Sequence, residues 1–192
     1  MLKPIHTQTK ALMLAGLMGI VMLLTMLSTA EATELHDAAK DGDIARITAL
    51  LDAGADPNTR MEGGFTPLHI AAFNGHTQAV ITLLDRGANI EARDKDGDIP
   101  LHDASLSGQP EAITTLLDAE ANLNARNEYG LTPLHDAARY GTAAAITLLL
   151  DAGAHPNARD KWGDTALDLI TEDSPIYGTD AYWRLNDAKY NQ

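Results

Sequence analysis

A spacing of 33 residues recurs from Leu35 to Leu167, and it limits the possible folds of that stretch to a stack of like units. His36, His69, His102 and His135 lie at that interval, as do Leu35, Leu68, Leu101, Leu134 and Leu167. Gly42, Gly75, Gly108 and Gly141 repeat in the same register, and so do Leu50, Leu83, Leu116 and Leu149. Pro67, Pro100 and Pro133 follow it, with Gly64, Gly97, Gly130 and Gly163. A unit this short cannot bury an apolar face alone, so neighbouring units must cover one another.

Within each unit the punctuation is that of two short helices. Thr66 and Thr132 stand as helix caps before Pro67 and Pro133, where a missing N–H costs nothing. Gly75 and Gly141 are expected to stop that helix in a left-handed conformation. His76, Gln109 and Thr142 open a second helix, with Pro110 at its start. Val80, Leu83 and Leu84 in one unit, and Ile146, Leu149 and Leu150 in another, share a helical face. Helices of two or three turns are unstable alone in water, so the faces between units must hold them.

The blocks Phe-Thr-Pro-Leu-His-Ile-Ala-Ala at 65–72, Asp-Ile-Pro-Leu-His-Asp-Ala-Ser at 98–105 and Leu-Thr-Pro-Leu-His-Asp-Ala-Ala at 131–138 carry a specific resemblance. Each runs on to a Leu-Leu pair and a turn such as Gly153-Ala154-His155-Pro156-Asn157. The chain resembles the ankyrin repeat over about 34 to 170. That resemblance implies an all-α solenoid of antiparallel helix pairs with projecting hairpin turns. The expected units are an N-terminal capping repeat at 34–64, full repeats at 65–97, 98–130 and 131–163, and a degenerate C-terminal cap at 164–192. Thr33-Glu34-Leu35-His36 lacks the proline, and Asp164-Thr165-Ala166-Leu167-Asp168 has lost both Pro and His, as end units would. Ser174 to Gly178 interrupts the last unit, after which Thr179 or Asp180 is expected to cap a helix through Ala188. Glu120 takes the slot held elsewhere by Gly54, Gly87 and Gly153.

Residues 1–30, or 1–32, read as a signal peptide preceding the repeat domain at 31–192. Lys3 and Lys10 frame a basic start, Ala11 to Leu27 carry no charge, and small residues follow. Ser28/Ala30 would release Glu31, and Ala30/Ala32 would release Thr33; a retained anchor is the other reading. The chain holds neither cysteine nor an Asn-x-Ser/Thr site, which fits a bacterial periplasm better than a eukaryotic secretory route. The net charge is −13, and removing the leader leaves −15, which opposes nucleic acid and anionic lipid and suits a soluble monomer or a basic partner.

For chemistry the residues offer little. The resemblance implies that the His row is structural, each ring bonding the backbone of the adjoining turn. Rings repeated once per layer, about 8–10 Å apart, do not easily converge on one metal. Asp37, Asp103 and Asp136 follow the histidines directly, but adjacent helical residues do not face each other. Neither a catalytic set nor a cofactor or metal site is expected, and the chain reads as non-catalytic. Arg60, Arg93, Arg126 and Arg159 recur at the hairpins, either as ladder ion pairs with neighbouring acids or as a positive stripe for partner carboxylates. Tyr129 and Trp162 fall at hairpin tips, and Phe73, Leu106 and Tyr140 are expected at one repeat position, 33 and then 34 residues apart, near the ends of first helices. The resemblance implies that tips and the concave first-helix face bind partners. The candidate partner-binding residues are therefore Phe73, Arg93, Leu106, Arg126, Tyr129, Tyr140, Arg159 and Trp162. Tyr177, Tyr182 and Trp183 read as packing of the C-terminal cap.

Overall fold

The computed structural model describes residues 33–190, so the leader and its cleavage points lie outside the described residues. The described elements are helical: α1 over 33–41, α2 Ile44–Asp52, α3 Pro67–Phe73, α4 Thr77–Asp85, α5 Pro100–Leu106, α6 Pro110–Asp118, α7 Pro133–Arg139 and α8 Ala143–Asp151. A single 3-10 turn at Ala166–Leu169 and a final helix α9, Asp180–Tyr190, complete the stack. First helices pack on first helices, α3 on α5 and α5 on α7, while α2, α4, α6 and α8 form a second row. None of the described helices is long and apolar enough to cross a membrane.

The core is the set of positions that the period lines up. Leu68, Leu101 and Leu134 are buried from the first helices, and Val80, Leu83, Ile113, Leu116, Ile146 and Leu149 from the second. Each such side chain contributes about 1.5–3 kcal/mol on leaving water. Ala71, Ala72, Ala104, Ala137 and Ala138 are equally buried, and their small size lets adjacent first helices come close. Where the second full repeat has Ser105 instead, its hydroxyl is satisfied internally by donating to the Leu101 carbonyl at 2.7 Å.

The hairpins are closed by Met61 N to Phe65 O, Asp94 N to Asp98 O, Asn127 N to Leu131 O and Asp160 N to Asp164 O, at 2.9–3.0 Å, each enclosing a tighter turn such as Gly64 N to Met61 O at 2.9 Å. They join side by side through Lys95 N to Gly63 O, Glu128 N to Asp96 O and Lys161 N to Tyr129 O, each 2.9 Å. One bond per link is too few to register as strands, and none occurs among the described residues.

Three expectations need correction, and the last unit is degenerate as expected. Gly75 has φ +72°, as its turn requires, but Gly141 is not left-handed. A Cβ at Gly141 would lie 2.4 Å from the Ser105 carbonyl oxygen, so close approach of two repeats is what requires glycine there. Tyr140 is not in register with Phe73 and Leu106: those residues end α3 and α5, whereas Arg139 ends α7 and Tyr140 is its C-cap. The first helix of the last unit shrinks to a 3-10 turn, where Asp168 stands in for the lost histidine by accepting from Thr165 N at 2.9 Å and Thr165 Oγ1 at 2.7 Å. Finally, α9 continues past Ala188 to Tyr190, with Lys189 paired to Asp168.

Candidate interaction surface

The histidine row works as an inter-repeat tie. His36, His69, His102 and His135 each place Nε2 against the carbonyl 29 residues ahead, on Phe65, Asp98, Leu131 and Asp164, at 3.0, 3.1, 3.3 and 3.2 Å. Nδ1 of His69 accepts from Thr66 N at 3.1 Å, so the proton sits on Nε2, which donates across the gap. The Thr66 hydroxyl also reaches that Nδ1 at 2.7 Å, and Thr132 does the same for His135 at 2.8 Å. Burial holds His69 and His135 below their ordinary pKa and lowers His102 to about 4, keeping the rings neutral.

The arginine row does not make the expected ion pairs. Arg60 donates to Gly64 O at 2.8 Å and to Arg93 O at 2.5 Å. Arg93 repeats this on Gly97 O at 2.7 Å and Arg126 O at 2.9 Å. Arg126 reaches Arg159 O, and Arg159 its own Gly163 O at 2.6 Å. The ladder therefore links guanidinium groups to backbone carbonyls, while the ion pairs among the described residues belong to Arg86, Arg184 and Lys189. A guanidinium has five donors in a planar fork, so these bonds leave further N–H groups on an exposed face.

Tyr129 and Trp162 stack at consecutive hairpin tips with centroids 6.2 Å apart and planes at 13°, and Trp162 remains 68% exposed. The Tyr129 hydroxyl donates to Asp96 Oδ1 at 3.2 Å, and the negative charge of Asp96 raises the phenol pKa. Phe73 and Tyr140 are exposed and Leu106 is half-buried; the Arg139 guanidinium lies 5.0 Å over the Tyr140 ring. At the far end Tyr177, Tyr182 and Trp183 form a ring cluster with successive centroids 4.8 and 5.1 Å apart, although Tyr177 and Trp183 stay exposed.

An acidic cluster within the second and third full repeats was not identified from the sequence. Asp103 on α5 and Asp136 on α7 are both buried, and each leaves Oδ2 without a hydrogen-bond partner in the protein. Burial, reinforced by Asp98, drives both well above the usual carboxylate range. Burial also raises Asp98, against the opposing bond from Asn127 Nδ2 at 2.8 Å. Asp98, His102 and Asp136 each bring a ligand atom within 4.8 Å of the others. The rule that neighbours on a helix face apart applies to His102 and Asp103; the stacking of repeats is what pairs His102 with Asp136. The available signal was the block Asp98-Ile99, which departs from the Phe-Thr and Leu-Thr of the flanking repeats.

A family model described as ankyrin repeats in three copies matches residues 35–127, and another described as ankyrin repeats in many copies matches 116–170. No curated protein matches the chain.

Proposed function

Because the chain belongs to the ankyrin-repeat family, a family of protein–protein interaction scaffolds, we propose that it is a non-catalytic scaffold of the periplasm. It docks a partner protein on its concave face and hairpin tips, as an accessory to an exported enzyme. The observation that supports this most directly is the Tyr129–Trp162 stack, an exposed aromatic pair on adjacent tips. Aromatic side chains with few rotatable bonds lose little entropy on docking and often carry most of an interface's energy. The Arg ladder holds the tips in register, and the half-buried Leu106 with exposed Phe73 and Tyr140 extends apolar surface along the first-helix row. The leader would deliver the chain through the membrane and be removed, leaving a soluble monomer.

A second reading follows from charge. The −15 left after the leader suits an inhibitor that covers a basic enzyme. Replacing Trp162 with a photo-crosslinking residue and irradiating intact cells would capture the neighbour covalently for identification. An exported enzyme that gains activity with the purified scaffold supports the accessory role, and one that loses activity supports inhibition. Failure of Tyr129→Ala/Trp162→Ala to weaken binding of the captured protein would remove the tips from the interface.

A further inference from the structure

We propose that Asp98, His102 and Asp136 bind one divalent metal cation at the junction of the second and third full repeats. Their ligand atoms come from three places: the end of a hairpin, the third residue of α5 and the first turn of α7. They nevertheless lie within 4.8 Å of one another. Bonds of about 2.0–2.6 Å to nitrogen or oxygen would place an ion among them without moving either helix appreciably.

A second observation points to the same charge. Asp136 is more than nine-tenths buried, and its Oδ2 has no partner in the protein. Asp103 beside it is in the same condition. A buried carboxylate requires a proton, a donor or a cation. Arg139 acts on Asp136 and Arg93 on Asp98 through space, but neither guanidinium hydrogen-bonds Oδ2 of Asp136 or of Asp103.

His102 suits the role better than the other histidines of its row. Ile99 replaces the threonine whose hydroxyl grips Nδ1 in the flanking repeats, leaving His102 with 3.3 Å contacts to Ile99 N and Leu131 O. Exchanging one long hydrogen bond for a metal bond is a small loss. Two carboxylates and one imidazole form a mixed oxygen and nitrogen set, which suits Mn2+ or Zn2+ better than Mg2+. Bound there, the ion joins α5 to α7; no reaction is involved. The site stands apart from the protein-binding reading, and either can fail without the other.

The test uses the untagged full chain as its host processes it, stripped with chelator, and titrates it calorimetrically with MnCl2 and with ZnCl2. The expected result is saturable binding that Asp136→Asn and Asp98→Asn each weaken at least tenfold, with a metal-induced rise in melting temperature that both variants lose. Glu128→Gln, a change to an exposed acid nearby, should bind as the parent does. Circular dichroism of the stripped variants confirms that they are folded. Absence of saturable binding by either ion, or variants that bind like the parent, overturns the site.

Discussion

Glu120 and Gly153 occupy the same turn one repeat apart, and both have left-handed backbones, with φ of +66° and +93°. Gly54 and Gly87 share that conformation, and Glu120 is alone among the described non-glycine residues in having positive φ. A Cβ in this region costs roughly 1–2 kcal/mol. Glu120→Gly is therefore expected to stabilise the array by about 0.5–1 kcal/mol, less than the full strain because glycine loses more freedom on folding. Chemical denaturation of Glu120→Gly and Glu120→Ala decides it. Equal gains from both would trace the cost to charge instead of backbone.

Gly141 and Gly153 predict opposite reasons for intolerance. Gly141→Ala forces a Cβ to within 2.4 Å of Ser105 O and 2.8 Å of Ala137, both backbone, so repeats must separate. Overpacking of this kind costs about 1–3 kcal/mol. Gly153 has open space where a Cβ would go, and only its φ resists, so Gly153→Ala should cost about 1 kcal/mol. Similar losses at both positions would argue against the close approach at Gly141.

His69 ties Thr66 to Asp98 and is buried, so His69→Ala should cost about 1–3 kcal/mol at neutral pH. Its folded pKa lies below 6.5, so the unfolded chain takes up the proton first as pH falls. The ring's contribution is complete above about pH 6.5 and is lost as pH drops through the lowered folded value. Urea melts of the parent between about pH 7.5 and 5 should show declining stability, and His69→Ala should decline less. Parallel profiles would mean that His69 is not held neutral by burial.

Arg126→Ala removes the bond to Arg159 O and should lower stability by about 1 kcal/mol. The acceptor is a neutral carbonyl, so the loss should persist when salt is raised from about 0.05 to 0.5 M. A deficit that fades with salt would restore the ion-pair reading of the row.

Contacts made within one repeat were legible in the sequence because their rules are local. Thr-Pro before a helix, glycine after it and the left-handed strain at Glu120 depend on backbone angles of a few neighbouring residues. The 33-residue register likewise revealed the buried leucines of the full repeats, since a stacked unit presents the same face each time, although Leu50 in the first unit is only partly buried. Partnerships across repeats depended on how closely the units stack, which no spacing states. Only the tertiary structure showed the Arg ladder ending on carbonyls, Gly141 pressed against Ser105, and Asp136 beside Asp98 and His102. Those contacts join residues about a repeat apart, and the distance and twist between packed helix pairs, not the order of residues along the chain, decide which side chains meet.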